Sequence, residues 1–415
     1  MISTSAPPRE EEKVTHTFLA TIRGGDDERS LDLVVKSCLL RAPWLIRILF
    51  ACLPSPEYVF YTLVQRELPA PDDGKPYLAA PKAVIALDSR PHAHHFLVLE
   101  RIHGRVYTDY DGATGAQAKK FLEAVASMHA HFWGQDGGGI AQEVKRINSA
   151  PVALVPKIMF LTPLRRFKHC WQTIEACLAA GMPGTICHGD CRFGNTLWPD
   201  DEQDPRVFFL DWEMHMWKDC LWDVVYFIWL SVPPQEDAAP GEGPLSAADW
   251  ALVDAYRARM AELLPPGAAS ADAAARQAAT AAATSPRSKR KRFEEILDES
   301  RRMKEAAFPS NAVFTQLLAL AQLRYAFFVA VVVAVGAADE WEDNNPKDHR
   351  VWTRNIALRQ DRMWERELAT GEMAATLDAF APDGRPWAAT LRALHEEGER
   401  MKHREIAKRR RKGHA

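Results

Sequence analysis

The chain has 415 residues, 47% hydrophobic and 26% charged, the balance of an ordinary globular protein able to bury a sizeable core in one large domain or two lobes. A formal net charge of -3 removes any global reason to expect nucleic acid or an anionic membrane surface as partner. The 7 cysteines are odd in number, scattered and without a C-x-x-C pair, which argues against a disulfide framework and for a reducing compartment.

The first residues, "MISTSAPPREEEK", have neither the apolar core of a signal peptide nor the Arg-rich, acid-poor balance of a transit peptide. A cytoplasmic location is expected, with the basic stretches "SPRSKRKR" and "KRRRKGHA" leaving a nuclear one open. Over residues 14–40, "VTHTFLATI" and "LDLVVKSCLL" flank the Gly- and Asp-rich "RGGDDERS", the pattern of a β-hairpin. "SPEYVFYTLVQREL" starts with Ser55 and Pro56 and carries an apolar stripe through Val59, Phe60 and Leu63, which predicts a short amphipathic helix. Two more strand-like runs, "KAVIAL" and "HHFLVLERI", complete an α+β unit over residues 1–102.

Beyond Gly104 the signal becomes helical. Phe121, Leu122, Val125, Met128 and Phe132 keep helical spacing, and further helices are expected over residues 164–180 and 219–230, so residues 103–232 form the core of a mostly helical second lobe. Residues 233–292 are rich in Pro, Gly, Ala and Ser around one helical pattern, "DWALVDAYRARMAELL", and read as a mobile insertion. Helices return over residues 293–400, followed by a basic tail over 401–415. The apolar run over residues 325–338 is too short to cross a bilayer, so a buried core helix is expected and no membrane span.

Between the helices lie "ICHGDCRFGNTLW" and "VFFLDWE", polar groups set among residues that favour burial. His188-Gly189-Asp190 followed by Asn195 spells H-G-D-x-x-x-x-N, with Asp211 in the next apolar strand. Phosphoryl transfer from ATP needs a carboxylate at the acceptor hydroxyl and hard oxygen ligands for Mg2+. Asp190 supplies the first, and Asn195 with Asp211 the second. In the first lobe, Lys36 closes "LDLVVK" where a strand lysine reaches the α- and β-phosphates, and Glu57 opens the following helix where it can pair with that lysine. The backbone from Glu100 to Ile102 is the expected link between lobes, facing the adenine edge.

These motifs resemble the aminoglycoside phosphotransferase and choline kinase superfamily, particularly its ecdysteroid-kinase-like, CHK-type branch. The resemblance rests on "CHGDCRFGNTLW", "FFLDWE" and "KDCLWDVVYF", with "VVK", "EYVFY", "LVLERIHG" and "MHAHFW" as further landmarks, and covers residues 14–232. It implies an α+β, bilobal protein-kinase-like fold that uses ATP and Mg2+ to phosphorylate a hydroxyl of a small molecule. By matching position, Asp190 is the catalytic base, Asn195 and Asp211 are metal ligands, Lys36 and Glu57 position the phosphates, His188 braces the catalytic loop and Asp223 anchors it. Glu213 stands where protein kinases have the glycine of D-F-G and no A-P-E follows, which favours a small-molecule kinase. The family's first strand and Gly-containing phosphate loop find no counterpart before "VTHTFLATI", since Gly24 and Gly25 sit too close to Lys36. An incomplete gene product, a weakened phosphate clamp and a nucleotide-binding pseudokinase acting as a scaffold are thus the alternatives.

Other patterns have plainer readings. Cys187 and Cys191 lack a second ligand pair for zinc. His92, His94 and His95 are expected as exposed residues of a hairpin turn. The basic stretches read as solvated rather than as nucleic-acid sites, and Trp212, Trp217, Trp222 and Trp229 as core rather than a box for a quaternary ammonium.

Overall fold

A computed structural model of the chain describes residues 2–5, 15–23, 30–39, 55–70, 73–89, 94–135, 139–147, 162–235, 243–264, 308–334, 346–381 and 385–411. The architecture is α+β, with a β-sheet lobe at the N-terminus followed by a larger helical lobe. The first lobe is an antiparallel sheet in the order β1-β2-β3-β6-β5, built from β1 (Ile2–Ser5), β2 (Thr15–Arg23), β3 (Ser30–Leu39), β5 (Ala83–Ser89) and β6 (His94–Glu100). The hairpin expected over residues 14–40 is β2 and β3, paired from Thr15 opposite Cys38 to Arg23 opposite Ser30. Its turn, with Gly24 and Gly25, lies outside the described residues, as do His92 and the His94 and His95 side chains. Leu33 on β3 and Leu97, Val98 and Leu99 on β6 are buried, as β-branched and leucine-rich central strands should be.

β1 pairs antiparallel with β2, from Ile2 opposite Ile22 to Ser5 opposite Leu19. A strand therefore stands where sequence reading found none: "ISTS" is too short and too polar to show a period, and backbone pairing to the long β2 edge selects it. The connection to β2 is outside the described residues.

Helix α1 begins at Pro56–Val59 behind Ser55, with proline at its first turn, and continues as a π turn, Phe60–Val64, and a 3-10 turn, Gln65–Glu67. The widened turn buries Phe60, Tyr61 and Val64 and leaves Glu57 on the side facing β3. The second lobe contains two short ladders. One has the order β4-β10-β9-β7 and the other β11-β8, with β4 Tyr77–Ala79, β7 Gly104–Val106, β8 Gly184–Cys187, β9 Thr196–Pro199, β10 Arg206–Phe209 and β11 Met216–Asp219. Around them pack α2 (Gly115–His131), α3 (Gly139–Ile147), α4 (Lys168–Gly181), α5 (Leu221–Ser231), α6 (Ala247–Leu263), α7 (Asn311–Ala334), α8 (Pro346–Thr370), α9 (Glu372–Phe380) and α10 (Trp387–Arg411). Thr114 caps α2 through a reciprocal box with Gln117.

Two sequence expectations change. Helix α6, assigned to a mobile insertion, lies against α2 with Leu252, Val253, Tyr256 and Met260 buried. Its own apolar side chains repay ordering, although its flanks gave the region a low-complexity look; residues 265–307, with "SPRSKRKR", lie outside the described residues. The basic tail begins as the last turns of α10, which is helical to Arg411.

Residues 311–331 form the one described helix long and apolar enough to cross a membrane by length and composition, and 67% of that window is buried in the fold. It carries Arg324, 0% exposed, whose guanidinium makes a fork with Asp219 at 2.5 and 2.9 Å, the marks of a core helix. Trp212, Trp217, Trp222 and Trp229 are buried core residues. Cys170, Cys177, Cys187, Cys191 and Cys220 are buried.

Candidate active site

The two polar motifs occupy neighbouring loops because two ladders flank them. Cys187 at the end of β8 faces Met216 at the start of β11, and Phe209 at the end of β10 faces Thr196 at the start of β9. Residues 188–195 and 210–215 are therefore sewn together at both ends, and the Leu210 N–H donates to the Asn195 carbonyl at 2.8 Å. Gly189 has φ +86°, and a Cβ there would lie 2.0 Å from the Met214 carbonyl oxygen, so only glycine admits this approach. Asp211 has φ +61°, a left-handed geometry that Asp tolerates better than most residues.

Asp223, on the first turn of α5, accepts the N–H groups of His188 and Gly189 at 2.7 and 3.0 Å, while the Trp222 indole donates to the Gly189 carbonyl at 2.9 Å. The His188 Nε2 donates to the Leu210 carbonyl at 2.8 Å, tying one loop to the other. Behind Asp223, His129 places Nε2 3.2 Å from its carboxylate and Nδ1 2.9 Å from the Tyr256 hydroxyl. Helix α6 thus supports the loop of residues 188–195 through Tyr256.

Asp190 is 17% exposed. Its Oδ1 accepts the Tyr226 hydroxyl at 2.6 Å, and its Oδ2 accepts the Asn195 amide at 2.7 Å and Arg192 Nε at 3.2 Å. Burial pushes this carboxyl up, but Arg192, Tyr226 and Asn195 outweigh it and hold the group below the usual carboxylate range. The result is an ionised oxygen pair with one lone pair of Oδ1 still open to a hydroxyl. Because the Asn195 nitrogen faces Asp190, its Oδ1 is the atom left to act as a ligand.

From the other lobe, Lys36 reaches Glu57 at 2.8 Å, Asp211 at 2.9 Å and Glu213 at 3.5 Å. Burial alone would lower the ammonium, yet the three carboxylates, Glu57 first, hold it well above its ordinary value. Burial pushes Glu57 up to about 7, with Asp211 and Glu213 adding to the rise against the pull of Lys36. Carboxylate oxygens of Glu57, Asp211 and Glu213 lie within 4.8 Å of one another. Three carboxyl groups around one lysine form a hard-oxygen cradle, which fits Mg2+ rather than a softer metal. Phe60 of α1 stacks face to face on Trp212, ring centroids 3.6 Å apart, and Trp212 leans on the His188 ring at 4.5 Å, so the helix bearing Glu57 rests on the loop bearing Asp211.

The structure brings together Lys36, Glu57 and Asp211 in one group and Asp190, Asn195, His188 and Asp223 in another, on adjoining loops. At Glu100 the N–H donates to the Lys82 carbonyl at 2.9 Å and the carboxylate accepts the Lys82 N–H at 2.8 Å, so its backbone donor is engaged in strand pairing. Among the described residues no hydrogen bond engages the backbone of Ile102, which leaves that residue as the linker group with edges to offer. Cys187 lies close to His129 and Asp223, but both of those side chains are already committed to the loop, and burial pushes the Cys187 and Cys191 thiols up, away from the thiolate that zinc requires. Sequence reading missed Arg192, Tyr226, Asp109 and His129. Tyr226 was recoverable, because it lies three residues after Asp223 and shares its helix face.

The sheet lobe, the helical lobe and this pair of loops make an α+β fold of the protein-kinase-like class. The model of the phosphotransferase enzyme family matches residues 65–263, a stretch that takes in Asp190, Asn195, Asp211 and Asp223, while Lys36 and Glu57 precede it. In fold the chain is similar to a candidate aminoglycoside phosphotransferase from Ralstonia eutropha, with 13% identity, TM-score 0.44 and coverage of 88% of this chain and 93% of that one. It is also similar to a choline kinase from Streptococcus pneumoniae, with 12% identity, TM-score 0.43 and coverage of 87% and 93%. A choline kinase from Cryptosporidium parvum shows 9% identity, TM-score 0.43 and coverage of 91% and 93%. Among curated proteins none matches the chain in sequence.

Proposed function

We propose that the chain is an ATP- and Mg2+-dependent kinase that transfers the γ-phosphoryl group to a hydroxyl of a small molecule, within the ecdysteroid-kinase-like branch. The observation that carries this reading is the meeting of Lys36 with Glu57 and Asp211 beside the ionised Asp190. Asp190 orients the acceptor hydroxyl through Oδ1 and takes its proton as the oxygen attacks phosphorus. Lys36, held by Glu57, neutralises phosphate oxygens on the nucleotide. Asp211, Glu213 and Asn195 Oδ1 are the groups that would hold Mg2+, which when bound supplies charge neutralisation at the phosphates. The Ile102 backbone meets the adenine edge.

Thermal unfolding with ATP, with and without Mg2+, on the wild type and Asp211→Asn tests this. Ligand at a hundredfold excess over its dissociation constant adds about 2.7 kcal/mol, or roughly 3 °C for a chain of 415 residues. A Mg2+-dependent rise that Asp211→Asn abolishes is expected, and equal shifts in both proteins would overturn the assignment. A second reading is a nucleotide-binding scaffold, since the stretch joining β1 to β2, "APPREEEKV", holds no glycine for a phosphate loop. Mg2+-dependent ATP binding without any phosphate transfer would select it.

A further inference from the structure

The catalytic loop is gripped at both ends. Asp223 holds its first two N–H groups, and a second buried carboxylate, Asp109 on the turn between β7 and α2, holds the other half. Asp109 is 0% exposed. Its Oδ2 accepts Arg192 Nη1 at 2.6 Å, and its Oδ1 accepts the Gly194 N–H at 3.1 Å and the Ser231 hydroxyl at 3.0 Å. Ser231 Oγ in turn accepts the Phe193 N–H at 2.9 Å. Residues 192, 193 and 194 are thus each tied to Asp109, directly or through Ser231. The turn itself is fastened to the end of α5, where the Ala113 N–H donates to the Ser231 carbonyl at 2.8 Å, and Tyr107 stacks on Phe193 at 4.8 Å. A Cβ at Gly194 would lie 2.8 Å from both Asp109 Oδ2 and Arg192 Nη1, so the clamp closes only over glycine.

Arg192 carries this grip to the reacting carboxylate. Its guanidinium is planar and permanently charged, so pinning Nη1 on Asp109 and laying the group 5.3 Å over the Trp352 ring fixes where Nε points. Nε points at Asp190 Oδ2, 3.2 Å away. With Oδ2 filled by Arg192 and Asn195, the orientation of the carboxylate is set and Oδ1 is the oxygen presented to the acceptor. We infer that Asp109 is a positioning residue for phosphoryl transfer, aiming Arg192 so that Asp190 keeps its attack geometry. The inference rests on the kinase reading above.

Asp109→Asn tests it selectively. The amide keeps an acceptor for Gly194 and Ser231 but turns an N–H2 group toward Arg192 Nη1, two donors face to face, and so releases the guanidinium. The readouts are ATP hydrolysis without acceptor, in which water takes the hydroxyl's place, and nucleotide affinity from thermal titration with MgATP. Turnover should fall on the order of 10- to 100-fold, the cost of a displaced catalytic group, with nucleotide affinity unchanged. If the effect runs through Arg192, the double variant Asp109→Asn/Arg192→Met should be no slower than Arg192→Met alone. Wild-type turnover in Asp109→Asn, or full additivity in the double variant, overturns the proposal and leaves the kinase reading standing. A wild-type chain that binds MgATP but never turns it over overturns the kinase reading and the proposal with it. Should Asp109→Asn not fold, Arg192→Lys replaces it: lysine can pair with Asp109 but cannot also span to Asp190, so turnover must fall, and full turnover refutes the clamp.

Discussion

Replacing Arg324 by methionine should cost several kcal/mol, and less at acid pH. The Arg324 and Asp219 side chains are both buried, and the guanidinium makes both hydrogen bonds of a fork with that carboxylate, at 2.5 and 2.9 Å, with Glu175 a further 3.5 Å contact and Lys218 beside it. Methionine keeps most of the volume but strands Asp219 as a buried charge, and losing one partner of a buried pair costs about 3–5 kcal/mol. At about 2.1 cal/mol/K per residue the unfolding entropy of 415 residues is about 0.9 kcal/mol/K, so the midpoint should drop by roughly 3–6 °C. In the wild type, burial raises the Asp219 carboxyl but Arg324 outweighs it and holds the group below the usual range. Its stabilisation is therefore present above the unfolded-state value and lost as pH falls through the lower folded one. Without Arg324 the largest pull against burial is gone and Asp219 takes up a proton at higher pH, which relieves the stranded charge. The deficit measured by scanning calorimetry should accordingly be largest at pH 7 and shrink toward pH 5. A midpoint within 1 °C of wild type at pH 7, or a gap that widens on acidification, refutes the reasoning.

Two further substitutions probe the loop supports. Gly189→Ala forces a Cβ to 2.0 Å from the Met214 carbonyl at φ +86°, so urea unfolding should show a loss of at least about 2 kcal/mol, and unchanged stability would contradict the loop packing. Tyr256→Phe removes the hydroxyl bonded to His129 and leaves a buried nitrogen unsatisfied, a cost of about 1–3 kcal/mol; a protein as stable as the wild type would show that α6 does not support the Asp223 network.

What could be read from the sequence was what local pattern encodes. The β2–β3 hairpin announced itself by β-branched runs around a turn, and α2 by helical spacing. Asp190, Asn195 and Asp211 were legible because one loop and the next strand place them within 21 positions of each other, and Lys36 and Glu57 because each sits at the end or start of an element. What escaped was set by distant partners. Asp109 lies 83 positions from Arg192 and 122 from Ser231, in a turn whose composition marks it as nothing more. Helix α6 carried the right apolar residues, but whether a helix is core depends on what it meets, and Ala- and Pro-rich flanks concealed that it meets α2. The pairing of the Glu100 N–H with the Lys82 carbonyl likewise leaves no trace in side-chain identity.

Asp190, Asn195 and Asp211 sit on loops stitched between neighbouring ladders, whereas Lys36 arrives from a different sheet and touches Asp211 by its side chain. The two loops are therefore one mechanical body, and the lysine is an arm reaching in from outside it. Swinging the sheet lobe outward would lengthen the reach from Lys36 to Asp211 without altering the spacing of Asp190 and Asn195. On the proposed kinase reading, moving the arm would admit and discharge a nucleotide while Asp190 and Asn195 stay assembled.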